Sequence, residues 1–249
     1  GAGVIAVFPW RGVFWVCVVW AAMVIVWSFR LPETLSPEHQ RPLNIRSTSR
    51  GFLEVTRTKV TGGYTLASVF IQAVFTAYLA SSEVIISDIF DLRDQFPFVF
   101  GAVAILFGLG ALINGRLVAS LGIDRVVIGV FAVQLPLAAL LVILAVAGNG
   151  TPSFWLFMPI LGLVLASFMF LMPNLNSAAM VPVGHIAGTA SALTGAVRIA
   201  FGAVLGTLIS NQVTDSVTPF AWGVVAMCAA AAGTVAVTRA RSAQSPAIS

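Results

Sequence analysis

Long apolar stretches separated by short polar ones dominate this chain. Seven of them approach the roughly 20 residues that an α-helix needs to cross a bilayer core. Their limits are Gly12–Phe29, Val60–Ser82, Pro97–Asn114, Val126–Ala147, Phe154–Met172, Ala187–Ser210 and Pro219–Val237. Spanning strands would instead show segments of about 10 residues with alternating polarity. The pattern therefore predicts an all-α membrane protein. The first, fourth and seventh spans are almost featureless, as suits helices that face lipid. The second carries Gln72, Thr76, Tyr78, Ser81 and Ser82 and ends at Glu83. The fifth carries Pro159, Gly162 and Ser167 and is expected to break at "MPNLNS", with Pro173, Asn174 and Asn176. Polar groups and helix breakers persist at membrane depth only where protein or a water-filled cavity meets them. A bland span recurs every third position, and the span after it is polar. That rhythm predicts repeated helix triplets whose polar members line a cavity.

Charge then orients the spans. The connection Arg30–Lys59 holds Arg30, Arg41, Arg46, Arg50, Arg57 and Lys59, and is broken by Pro32, Pro37 and Pro42. The positive-inside rule places it in the cytoplasm. Alternation brings Arg116, Arg125, Arg239 and Arg241 to the same side and leaves Arg11 and Arg93 outside. With Arg198 in the membrane, these account for all 13 Lys and Arg. The C-terminus is thus expected in the cytoplasm.

Composition agrees with this class. Hydrophobic residues make up 59% and charged residues 9% of the 249, against about 25% charged in soluble domains; the mean hydropathy is +0.99. The net charge of +4 sits between apolar runs and forms no basic stripe with interleaved aromatics, so nucleic acid is not an expected partner. Cys17 and Cys228 lie inside apolar runs without clustered ligands, so no metal, cofactor or disulfide is expected. The opening "GAGVIAVFPW" is apolar but too short to span. It reads as the end of an earlier span, and the chain as part of a longer one.

Three features could carry function. Arg198 lies about 11 residues from either end of its span, roughly 17 Å at 1.5 Å per residue, too deep to reach water easily. A central Arg costs at least ~2.5–3.5 kcal/mol. Helical spacing groups it with Ser191, Thr194, Gly195, Gly202 and Gly206. Two roles fit: a tie to carbonyls or a carboxylate of neighbouring helices, or a charge facing a cavity. Glu83 fits a solvated helix end or a half-buried carboxylate that exchanges protons. Asn114–Arg125, "NGRLVASLGIDR", fits a short basic loop or a gate. In the second case Gly115 and Gly122 give turns, while Arg116, Asp124 and Arg125 pair in one state and part in another.

That loop, G-R-L-x4-G-x-D-R, resembles the cytoplasmic loop of major facilitator superfamily transporters. Further stretches are "WRGVFWV" to "RLPETL" (Trp10–Leu35), "YLASSEVI", "MPNLNSAAM" and "AGTASALTGAVRIAFGAVLG". Together they resemble the bicyclomycin/chloramphenicol-resistance subfamily of drug:proton antiporters. The resemblance implies two six-helix halves around a central cavity, each built of three-helix repeats. It implies residues 1–29 as the end of helix 5 and helix 6 of the N-terminal half, and 30–59 as the cytoplasmic central loop. Residues 60–238 become the C-terminal six-helix half and 239–249 a cytoplasmic tail. The missing N-terminal half would then be a partner, together with lipid, protons and a small-molecule substrate. The implied activity is efflux of amphipathic drugs or metabolites across a bacterial inner membrane by alternating access. Gln72, Tyr78, Ser82, Asn174 and Arg198 would line the pathway. The subfamily commonly has Gln at the Arg198 position and Pro at the Glu83 position, so substrate choice does not carry over.

Other classes fit less well. A retinal pump needs a lysine within a late span, and the sole lysine is Lys59. A seven-span receptor is at odds with the long connection after the first span, though it stands as the alternative with a non-transporting membrane fragment. Intramembrane enzymes need paired Asp, Ser/His or zinc ligands at depth. Here the Asp residues fall between spans, and His39 and His185 lie outside span centres.

Overall fold

The computed structural model describes Pro9, residues 11–30 and residues 45–244. The described residues are helical with short connections and contain no strand. Two compact units are present, Gly1–Ser47 and Thr48–Ser249. The first holds α1, Arg11–Ser28, none of whose residues is buried.

The second unit is a six-rod bundle preceded by a short helix. In chain order these are α2 (Ile45–Arg57), α3 (Lys59–Glu83), α4 (Phe96–Leu121), α5 (Ile123–Ala147), α6 (Phe154–Ala166), α7 (Phe168–Met180), α8 (Ala187–Ser210) and α9 (Thr218–Gln244). α3 is the central rod and packs against α7, α8 and α9, while α5 backs α6, α7 and α9. At its far end α3 widens into a π-helical turn over Val84–Ile89.

Side-chain contacts fix the directions. Gln72 meets Gly202 and Thr76 meets Gly206, so α8 runs parallel to α3. Thr61 at the start of α3 donates to the Ala179 carbonyl at the end of α7, at 2.8 Å, so α7 runs antiparallel. Gly63 meets Thr238, so α9 is antiparallel too. Six helical stretches among the described residues are long and apolar enough to cross a membrane. One of them, Phe154–Ser210, holds two of the expected spans: it reverses through the tight turn Val181–Ile186, where Val183 leaves helical geometry (φ −119°, ψ 21°).

Three local expectations need correction. The stretch expected as a loop from Asn114 is helical through Leu121, because "GRLVASL" has no strong breaker after its glycine. Gly115 lies inside α4, and only Gly122 makes the turn, at φ 81° and ψ 159°. The fifth span does not break at "MPNLNS". α7 runs through Pro173, and the Asn174 side chain donates to the Phe170 carbonyl at 2.8 Å. The interruption falls at Ser167, whose hydroxyl turns back to the Val164 carbonyl and also accepts from Gln134 of α5. Such back-bonding bends helices. Finally, the polar connection contains α2, which buries Val55 against Val183, Ile186 and Ala190. His185 and Glu54 meet there at 2.6 Å.

The outer pair α5–α9 is joined at both ends. Asp124 and Arg239 meet at 3.5 Å at one end. At the other, the Val217 N–H donates to the Gly150 carbonyl at 2.9 Å and the Thr218 hydroxyl to the Ala145 carbonyl at 3.5 Å. α8 is seated on α3 along a seam of small residues, Gly202 and Gly206, with Ala190 against α2 near its start and Ile209 against Gly223 of α9 near its end.

Candidate functional site

The seam explains most of the small face of α8. A Cβ at Gly202 would lie 2.5 Å from Gln72 Cγ, and one at Gly206 2.6 Å from Thr76 Cβ and 2.8 Å from the Ala73 carbonyl oxygen. Small residues spaced by four let two helix backbones approach this closely. Arg198 is one turn from Gly202 on the same face, half-buried. Among the described residues it has neither a hydrogen bond nor an ion pair. Of the two roles open to it in the sequence, no partner for a structural tie is found in this set.

At 100° per residue, Gly195, Arg198 and Gly202 share the side of α8 turned to Gln72. Gln72 is half-buried and its amide lies 3.5 Å from the Thr76 hydroxyl. One residue from Thr76, Phe75 stacks on Phe168 of α7 with centroids 4.6 Å apart and reaches Phe107 of α4 at 5.7 Å. The three rings join α3, α4 and α7, and all are half-buried. A mostly apolar surface with few polar groups is the usual lining of a small-molecule site. Nothing along the chain marks these rings out, since an aromatic inside an apolar run looks the same whether it meets lipid, protein or ligand.

Asn174 sits two turns further along α7, 3% exposed. Its amide donates to Asn114 Oδ1 of α4 at 2.8 Å. Asn114 marks the start of the gating stretch, but its pairing was not visible in the sequence. Tyr78 is enclosed in the main core at 2% exposure and stacks near Phe100; its hydroxyl has no partner among the described residues. Ser82 is also buried and donates to the Leu79 carbonyl at 3.3 Å. Gln72 and Arg198 are both half-buried, Arg198 one turn before the Gly202 that meets Gln72, while Tyr78, Ser82 and Asn174 are buried in the packing.

Glu83 is exposed at the end of α3. Asp124 pairs with Arg239 of α9, not with Arg116 or Arg125, which are exposed. Cys228 is fully buried in the core of α9.

The Asn114–Asn174 bond is the single side-chain pair tying α4 to α7 among the described hydrogen bonds. Interhelical polar pairs in membranes average ~0.6 kcal/mol and reach ~1.7. A double-mutant cycle of Asn114→Ala and Asn174→Ala, read by unfolding in mixed detergent, is expected to give about 1 kcal/mol of coupling. Strictly additive losses would show that the pair contributes no coupling.

With this geometry in view, comparison with known proteins decides the family. The sequence model of the Major Facilitator Superfamily matches residues 1–207. The chain belongs to the major facilitator superfamily. A bicyclomycin resistance protein homolog of Haemophilus influenzae is 27% identical over 228 residues, covering 88% of this chain and 55% of that protein. An uncharacterized MFS-type transporter of Bacillus subtilis, YdgK, is 27% identical over 224 residues, covering 86% and 54%. The chain spans about half the length of these relatives. No solved structure matches it. Membership of the superfamily accords with the alternating rods and with the polar, small-residue character of α3, α7 and α8.

Proposed function

We propose that this superfamily member exports small amphipathic compounds, drugs or metabolites, across a bacterial cytoplasmic membrane in exchange for protons, by alternating access. The bicyclomycin resistance relative supports the export of drugs. The reading rests on half-buried Gln72, Thr76 and Arg198 along the α3–α8 seam and on the half-buried cluster of Phe75, Phe107 and Phe168 that joins α3, α4 and α7. Rings supply apolar contact. Gln72 and Arg198 supply the few directional polar contacts that fix a ligand's pose. A permanent cation on that face disfavours cationic substrates and favours neutral or acidic ones.

On this reading Asn174 holds α7 against α4 beside the pathway, and Tyr78 and Ser82 support α3 from behind. The end of the bundle that carries Lys59, Arg116, Arg125, Arg239 and Arg241 faces the cytoplasm. Gly115, Arg116, Gly122, Asp124 and Arg125 form the gating region there, with the Asp124–Arg239 pair closed in this state. The two halves of the complete transporter rock about a site near the midplane.

Drug accumulation in cells carrying the full-length protein tests this. Arg198→Ala is expected to lower efflux about tenfold at equal membrane abundance, since a hydrogen bond to a charged group contributes ~1.5–3 kcal/mol. Arg198→Lys should retain part of it. Wild-type efflux from the alanine form removes Arg198 from the pathway. Glu83, a candidate for proton exchange from the sequence, is exposed at the end of α3, so Glu83→Gln is expected to leave efflux unchanged; lost efflux at equal membrane abundance would give it a role in transport.

A further inference from the structure

A cleft of about 730 Å³ opens between α3 and α9 at the Lys59 end of the bundle. It is separate from the face of Gln72 and Arg198. Lys59, Arg241 and Ser242 stand at its rim, and Leu66, Phe70 and Val237 line its depth. All three rim residues are exposed. Neither Lys59 nor Arg241 has a hydrogen bond or ion pair among the described residues, whereas neighbouring Arg239 is engaged by Asp124. The cleft is open because Gly62 of α3 and Gly233 of α9 carry no side chains, and nothing lies within 4 Å of a Cβ at either position.

Its dimensions match one leaflet. Lys59 to Phe70 on one wall, and Ala230 to Arg241 on the other, are each separated by 11 helical rises, about 17 Å along a helix. Half of a bilayer core is about 15 Å. Both walls carry their cation at the same end; below it lie apolar side chains and glycines, together with Thr234 and Thr238, whose hydroxyls turn back to their own helix at 2.7 Å each. Charge and depth together fit a molecule with an anionic head at the membrane surface and a hydrocarbon tail about one leaflet long. Basic pockets between spanning helices bind anionic head groups in this manner.

We infer that the α3–α9 cleft is a binding site for an anionic phospholipid. Its phosphate accepts from Lys59 and Arg241, and one acyl chain lies along Gly62, Leu66 and Phe70. The assignment to the cytoplasmic leaflet rests on the orientation proposed above; the binding itself does not.

The experiment uses the full-length protein purified in detergent and supplied with phosphatidylglycerol and phosphatidylcholine of matched chains. Native mass spectrometry counts what stays bound. Wild type is expected to retain phosphatidylglycerol roughly tenfold over phosphatidylcholine, given two basic contacts. Lys59→Gln with Arg241→Gln should bring the two lipids near parity. Gly62→Leu fills the floor without touching the charges, and a Cβ there meets nothing within 4 Å, so the fold tolerates it. It should lower retention of phosphatidylglycerol as well. Equal retention by wild type overturns the inference, as does a preference that survives loss of both charges. Full retention by Gly62→Leu overturns it too, because the anion would then be held at the surface with no chain in the cleft, the result expected if another helix occupies it. Retention is read without transport, so this site and the efflux reading fail separately.

Discussion

Gly206→Val is expected to part α8 from α3 and to destabilise the bundle by about 3 kcal/mol or more, at the upper end of overpacking costs. The added carbons would meet the Ala73 carbonyl oxygen at 2.8 Å and the Ala77 nitrogen at 2.9 Å. Those are backbone atoms of a rigid helix and cannot turn aside as a side chain can. Detergent unfolding of the purified protein reads the effect. Gly195→Ala is the matched control, because nothing lies within 4 Å of its new Cβ. It should unfold at or above the wild-type midpoint, since alanine is the better helix former by about 1 kcal/mol. If Gly206→Val unfolds with its control, α8 is not seated on α3 as described.

The second large effect is expected at Gly122. Its φ of 81° with ψ of 159° lies in a region essentially restricted to glycine, where other residues cost ~1–3 kcal/mol. Gly122→Ala should lose about 2 kcal/mol in the same unfolding measurement. Gly122→Asn should lose about as much, because asparagine's tolerance of positive φ belongs to the left-handed helical region near ψ 47°. Rescue by asparagine would show that the turn relaxes into that region. The turn joins α4 to α5 directly, so on the proposed export reading its loss should also slow efflux beyond what lower abundance explains.

The fold was largely legible in the sequence because a bilayer imposes length and polarity on every span. α8 runs from Ala187 to Ser210, the limits that the apolar pattern marks. Polarity is a poorer guide to where helices end. α4 passes seven residues beyond Asn114 because a membrane border is not a helix end. Pro173 suggests a break, yet Asn174 bonds the Phe170 carbonyl and the rod continues. The bend belongs to Ser167, whose effect depends on where its hydroxyl turns and on Gln134 across the interface.

The candidate site was legible only in its polar members. Gln72 and Arg198 stand out against apolar neighbours, so sequence finds them. Phe75, Phe107 and Phe168 do not stand out, and only their convergence from three helices makes them a surface. The same holds for charge pairs. Asp124 has Arg125 beside it in sequence, but its partner is Arg239, 115 residues away. Neighbourhood along the chain cannot reveal a contact made by the return of the last helix.

The double attachment of α5 to α9 has a mechanical consequence. A pair of rods pinned at both ends resists bending and sliding alike, and so behaves as a stiff plate. α8 is locked differently: Gln72 and Thr76 of α3 fill the places where Gly202 and Gly206 carry no side chain, so a shift of α8 along the seam would have to lift both out at once. α3 and α8 therefore travel together, and Arg198 keeps its level relative to Gln72 while the α5–α9 plate moves beside them.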